Sequence, residues 1–142
     1  MLLGQLALLL ASLFAGAALY VSIAEHPGRL AAGDEAALAQ WRPSRRRARI
    51  LQGALALAGG ALAFLLWWRS LNHLWLIGSL LLLANRPFTL LAVAKVDRRL
   101  ESAEAAGETR ALLERWGRLQ AVRTLLGLAS ALVMLAALNW RL

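Results

Sequence analysis

Cysteine is absent from the chain, and the acids are few, eight Asp and Glu against sixteen Lys and Arg. The first absence excludes disulfides, thiolate metal ligands and redox-active thiols. The scarcity of acids matters more for where it falls: none of the eight lies inside a long apolar run. Phosphate-cradling glycine loops, paired metal-ligand histidines and nucleophile elbows are all missing. Two histidines, His26 and His73, and three prolines complete the short supply. A catalytic site built from familiar soluble-enzyme parts has little here to work with.

What is abundant is leucine and alanine. Of 142 residues 60% are apolar, and three runs are nearly uninterrupted: Leu2 to Ala24, Ile50 to Trp68 and Leu74 to Ala94. A fourth, Leu119 to Trp140, is broken by Gln120, Arg123 and Asn139. Each approaches the ~20 residues that cross a bilayer core as a helix. The expected fold is all-α, an integral-membrane four-helix bundle forming one domain, with helices at about 2–24, 47–68, 74–96 and 117–140. The first run is not read as a cleaved signal peptide: it lacks a basic start, is too long, and leads into no convincing cleavage pattern.

Charge supplies the orientation. All eight acids and twelve of the sixteen basic residues fall within Glu25 to Arg49 and Lys95 to Arg118, the first and third connections. Arg69 stands in the short second connection and Arg141 at the C-terminus. Basic residues collect on the cytoplasmic side, so both termini are expected outside and both long loops in the cytoplasm, in a bacterial inner membrane. The net charge of +8 is then a topology signal and a contact for anionic lipid, with no nucleic-acid partner implied. Under this topology His26 and His73 lie on opposite sides, which argues against a bis-histidine haem or a histidine-built metal site. Trp67, Trp68, Trp75 and Trp140 form the expected outer aromatic belt.

The loops carry their own pattern. Pro27 and Pro43 punctuate the first, with Asp34 capping a short helix to about Gln40. The third reads as two amphipathic pieces, with Glu101, Glu104, Glu108 and Glu114 facing Arg98, Arg110 and Arg118 on a solvated face. In the first helix Ser12 and Gly16, with Ala15 alongside, make a stripe of small residues capped by the phenol of Tyr20, and Gly53, Ala56, Gly59, Gly60 and Ala63 repeat the device in the second, which suits close helix approach.

Against this background the run "SLLLLANRPFTLLAVAK" is unusual. Arg86 lies eight residues in from Ala94, about 12 Å at 1.5 Å per residue, too deep to snorkel easily. Pro87 removes the amide partner of the Leu83 carbonyl and exposes acceptors beside Asn85 and Arg86. Gln52, Asn85, Arg86, Gln120 and Arg123 share the inner half of the bilayer, with Arg49 one turn outside Gln52 and Tyr20 expected above them. Trp116, Gln120, Arg123, Thr124 and Gly127 follow one helix face. Ionisable groups inside a membrane mark function by default, and uncompensated cations call for an anion. The structural alternative is that Arg86 and Arg123 bond to loop carbonyls and acids and pin two helices.

The stretches "FAGAALYVSIAEHPGR", "AQWRPS", "PFT" at 87–89 and "LLERWGRLQAVRTLLGLASAL" resemble the small four-helix membrane family that contains the anthrone oxygenases. His26, Pro27, Arg29, Trp41, Arg42, Pro43, Trp116 and Arg123 carry the match, which spans about Phe14 to Leu132. The resemblance implies a cofactor-free oxygenase acting on an acidic polycyclic or phenolic ring in a membrane-embedded pocket. It also implies a histidine where this chain has Gln120, and an asparagine after a proline where it has Lys95, Val96 and Asp97. Glutamine cannot shuttle a proton at neutral pH, so a base role would pass to Asp97 or His26, with Arg123 beside the reacting ring. Asn85, Arg86, Gln120, Gln52, Tyr20 and Trp116 are the expected substrate contacts. Two function classes follow: a pocket for a lipophilic aromatic or quinone-like anion, or a structural or accessory membrane protein, either of them open to homo-oligomerisation.

Overall fold

The computed structural model describes residues 1–102 and 107–140. Glu104 and Arg141 lie outside the described residues. Four long helices make up the rest: α1 Leu2–Ala31, α2 Asp34–Ser70, α3 His73–Glu101 and α4 Thr109–Asn139, each with an apolar stretch long enough to cross a membrane. They form a ring in which α1 and α3 each pack against both α2 and α4. Short connections make neighbours antiparallel, so the charged segments gather at one end of the bundle and Trp67, Trp68 and Trp140 at the other.

The helices run further than the apolar runs because prolines fail to end them. Pro27 lies inside α1 and Pro43 inside α2, so the separate short helix expected between Asp34 and Gln40 is the first turns of a 37-residue helix. Ala39 and Pro43 are both exposed, which leaves the carbonyl freed by Pro43 on the surface. The cap also moves: Gly33, at φ 96°, starts α2, and Asp34 sits within the first turn, where its charge favours the helix N-terminus. Each of the other two prolines has a π-turn beside it. Val21–Glu25 ends two residues before Pro27, and Thr89–Val93 begins two residues after Pro87. A missing amide shifts the bonding register locally, and a wider turn is one way of absorbing it.

Two apolar cores divide the bundle along its length. One holds Ala7, Ala11, Phe14, Ala56, Trp75, Leu82 and Met134; the other, at the charged end, holds Trp41, Val93, Leu100, Leu113 and Trp116. On three of the helices the residues between the two cores include the polar ones: Gln52 on α2, Asn85 and Thr89 on α3, Gln120, Arg123 and Thr124 on α4. Hydroxyls tie the helices together by donating to backbone carbonyls, Ser79 to Gly60 at 2.8 Å, Ser130 to Gly78 at 2.7 Å and Thr124 to Ala18 at 3.0 Å.

Two expectations of packing need correction. The inward stripe of α1 is Ala7, Ala11, Ala15 and Ala18, while Ser12 and Gly16 are exposed and Tyr20 is 61% exposed. Both faces of a membrane helix are apolar, so hydrophobicity did not distinguish them, and the alanines fit the neighbouring helices equally well. Trp75, expected in the belt, is buried in the core, where its ring fills the space beside Gly4.

Candidate functional site

The polar layer surrounds a cavity of about 120 Å³. From α2 it receives Arg49, Gln52 and Gly53, three positions on one helix face; from α3, Asn85, Arg86 and Thr89; from α4, Arg123; and Phe14 of α1 closes the back. Arg86 and Arg123 therefore face the same space, together with Asn85 and Gln52. A Cβ on Gly53 would stand 3.5 Å from Arg86 Nη1, so the guanidinium reaches across to α2 over a position that carries no side chain. Arg86 has no hydrogen bond or ion pair with any described residue.

Arg123 is the more enclosed of the two, 7% exposed. Its Nη1 donates to Gln120 Oε1 at 3.2 Å, its guanidinium carbon lies 6.0 Å from the Phe14 ring centre, and its Nε is buried without a partner. Gln120 stands one step beneath the cavity, beside a void of about 20 Å³ that shares Arg49, Gln52 and Arg123 with it. Asn85 donates from Nδ2 to the Leu82 carbonyl at 3.0 Å, which fixes its amide and leaves Oδ1 buried and unpaired. Gln52 Oε1 is in the same condition. The layer thus holds three guanidiniums and two unpaired amide oxygens, and no carboxylate lines the cavity.

The remaining expected residues lie elsewhere. Tyr20 points away from the cavity, for the reason given by the α1 register. His26, Asp97 and Trp116 belong to a second cluster at the charged end. Asp97 is buried and accepts from Arg45 at 3.5 Å and from Arg49 on Oδ2, and from Trp116 Nε1 at 3.0 Å on Oδ1. Arg49 therefore joins the two clusters, with its acid on one side and the cavity on the other. His26 Nε2 donates to the Leu113 carbonyl at 2.8 Å, and its ring rests where a Cβ on Gly117 would stand 2.7 Å away. The Trp116 ring centre lies 4.9 Å from that of His26 and 6.2 Å from that of Trp41, to which it is nearly perpendicular, with Arg29 5.4 Å away. Glu25, on the π-turn of α1, accepts from Arg29 at 2.5 Å and from Ser44 of α2. These bonds hold α1, α2, α3 and α4 together and occupy both Asp97 oxygens, while His26 Nδ1, the nitrogen left free of a proton, is buried without a partner among the described residues.

Arg49, Thr89 and Phe14 join the cavity without having been singled out as contacts. For Arg49 the signal was present, since it precedes Gln52 by three residues and shares its helix face. Thr89 and Phe14 fall inside the stretches that carry the family resemblance, but their residue types gave no sign of a contact, because a threonine and a phenylalanine are ordinary in an apolar helix.

A family model described as anthrone oxygenase matches residues 41–133, a span that holds every cavity residue contributed by α2, α3 and α4. No curated protein and no solved structure matches the chain.

Proposed function

Because the chain belongs to the anthrone oxygenase family, we propose that its polar layer binds a lipophilic aromatic or quinone-like ring compound as the anion, within the inner half of the membrane. The observation that carries this is Arg86, a guanidinium without a partner among the described residues on a cavity shared with Arg49 and Arg123. An anion of the ring compound supplies the missing charge, and the amides of Asn85 and Gln52 fix its orientation.

The same arrangement suits a cofactor-free oxygenation. In such a reaction one ring methylene loses its two hydrogens and gains one oxygen atom of O₂, and the other oxygen atom leaves as water. The electrons come from the ring itself, which has to be held as enolate or phenolate before it reduces O₂. Three guanidiniums in a site with little water stabilise that oxyanion. No lining side chain is a base at neutral pH, so deprotonation rests on the acidity of the ring, raised by the cations around it.

The test is ligand-induced stabilisation of the purified protein. Anthrones and hydroxyquinones should raise the melting temperature, more at a pH above the ring's own pKa than below it, while the uncharged hydrocarbon anthracene should not. Oxygen uptake above the spontaneous rate would add catalysis to binding. Equal stabilisation by anthracene and anthrone, or none by either, would contradict the proposal.

A further inference from the structure

The cavity's size, opening and unpaired atoms say more about the occupant. We infer that it is an amphiphile with a single dihydroxyaromatic ring as head and an apolar tail, and that it enters sideways from the bilayer between α2 and α3. This rests on the anion-binding reading above.

Size comes first. Pockets that enclose a drug-sized ligand occupy roughly 300–1,000 Å³, and this cavity is about 120 Å³. It encloses one ring and leaves the rest of the ligand outside. The outside is lipid: of the lining residues, Leu57 on α2 is 47% exposed and Leu90 on α3 is 61% exposed, and Arg86 beside them is exposed as well. These residues form a slot on the flank of the bundle, along the stretch that crosses the membrane. A chain attached to the enclosed ring would leave through this slot and lie among acyl tails, where it costs nothing to desolvate.

The polar atoms choose the head. Arg86 and Arg123 call for an oxyanion, but Asn85 Oδ1 is a buried acceptor that calls for a donor. Asn85 cannot turn its amide over without losing the Leu82 carbonyl. A ligand that satisfies both demands carries an ionised oxygen and an O–H on the same small head, as a singly deprotonated resorcinol or hydroquinone does. A phosphodiester or a carboxylate offers oxygens alone, which Gln52 can meet by turning its amide but which leave Asn85 Oδ1 unpaired.

The experiment measures the concentration giving half-maximal thermal stabilisation of the full chain in detergent, for five probes. These are a long-chain alkylresorcinol, its dimethyl ether, tail-free resorcinol, dodecyl phosphate and anthrone. The alkylresorcinol should act at a concentration at least ten-fold below its ether, resorcinol and dodecyl phosphate, and Leu90→Trp should raise that concentration ten-fold without changing the unliganded melting temperature. Leu57→Trp provides the same test from the opposite wall should the first variant misfold. An ether or a phosphate equal to the alkylresorcinol removes the dihydroxy head, and indifference to both tryptophans removes the lateral slot. Stabilisation by anthrone alone overturns this inference and leaves the broader anion-binding reading standing. Silence from all five probes ends both.

Discussion

Asp97 accepts from Trp116, Arg45 and Arg49 at once, and a carboxylate so engaged serves structure better than proton transfer. Asp97→Asn should therefore destabilise the protein by about 1–3 kcal/mol, less than a fully buried pair would cost because Arg49 is part-exposed, while the folded fraction still binds ring compounds. Chemical denaturation in mixed micelles measures the first effect and thermal shift with ligand the second. A variant that kept its stability and lost only turnover would restore the base role. At this scale the sequence was readable wherever a polar side chain interrupted an apolar run. Asn85, Arg86, Gln52 and Arg123 stood out for that reason, and they do share one cavity. The surroundings of His26 and Asp97 were not legible, because a titratable group in a loop looks the same whether it is free or bound. Only the pairing of distant segments, such as His26 with the Leu113 carbonyl, distinguishes the two.

Among the helices, four apolar stretches were legible from composition, but their ends were not, and they shifted because Pro27 and Pro43 are accommodated inside helices. The inward face was legible on α2, where Ala56, Gly59, Gly60 and Ala63 are buried, and on α4, where Trp116, Gln120, Arg123, Thr124 and Gly127 are. On α1 it was hidden because lipid and core are both apolar, so the choice between Ala11 and Ser12 as the packed position fell to the shape of the neighbours. Two glycines make this measurable. On Gly16 a Cβ would meet nothing within 4 Å, whereas on Gly127 it would stand 2.7 Å from Phe14 and 3.3 Å from the Ala15 Cα. Gly16→Ala should stabilise by up to ~1 kcal/mol through helix propensity. Gly127→Ala should destabilise by about 1–3 kcal/mol, and it should weaken ligand binding too, since Phe14 backs the cavity. The two melting temperatures moving in the same direction would contradict this assignment of faces.

For the whole molecule, the segregation of charge gives a direction to the bundle. The end holding Arg42, Arg46, Arg47 and Arg98 is proposed to face the cytoplasm, by the excess of basic residues there. Ala37 is buried, so its exposed neighbour is the position to label: Ala36→Cys and Ser70→Cys should react with an impermeant maleimide from opposite sides of the membrane, and same-side labelling would contradict the topology. The central claim concerns what lies between the two ends, a layer of guanidiniums in which Arg86 is kept for a ligand and not for the fold. Arg86 decides it, because it is the cation of that layer with no partner among the described residues. The direct measurement is the melting temperature of Arg86→Leu in detergent, with and without the tightest-binding ring compound. A ligand-binding arginine predicts an unliganded melting temperature equal to or above that of the parent, with the ligand-induced rise abolished and poorly restored by lysine, which lacks the planar fork. A variant destabilised by roughly 3 kcal/mol that still gains the full rise from ligand would make Arg86 a structural pin and contradict the account.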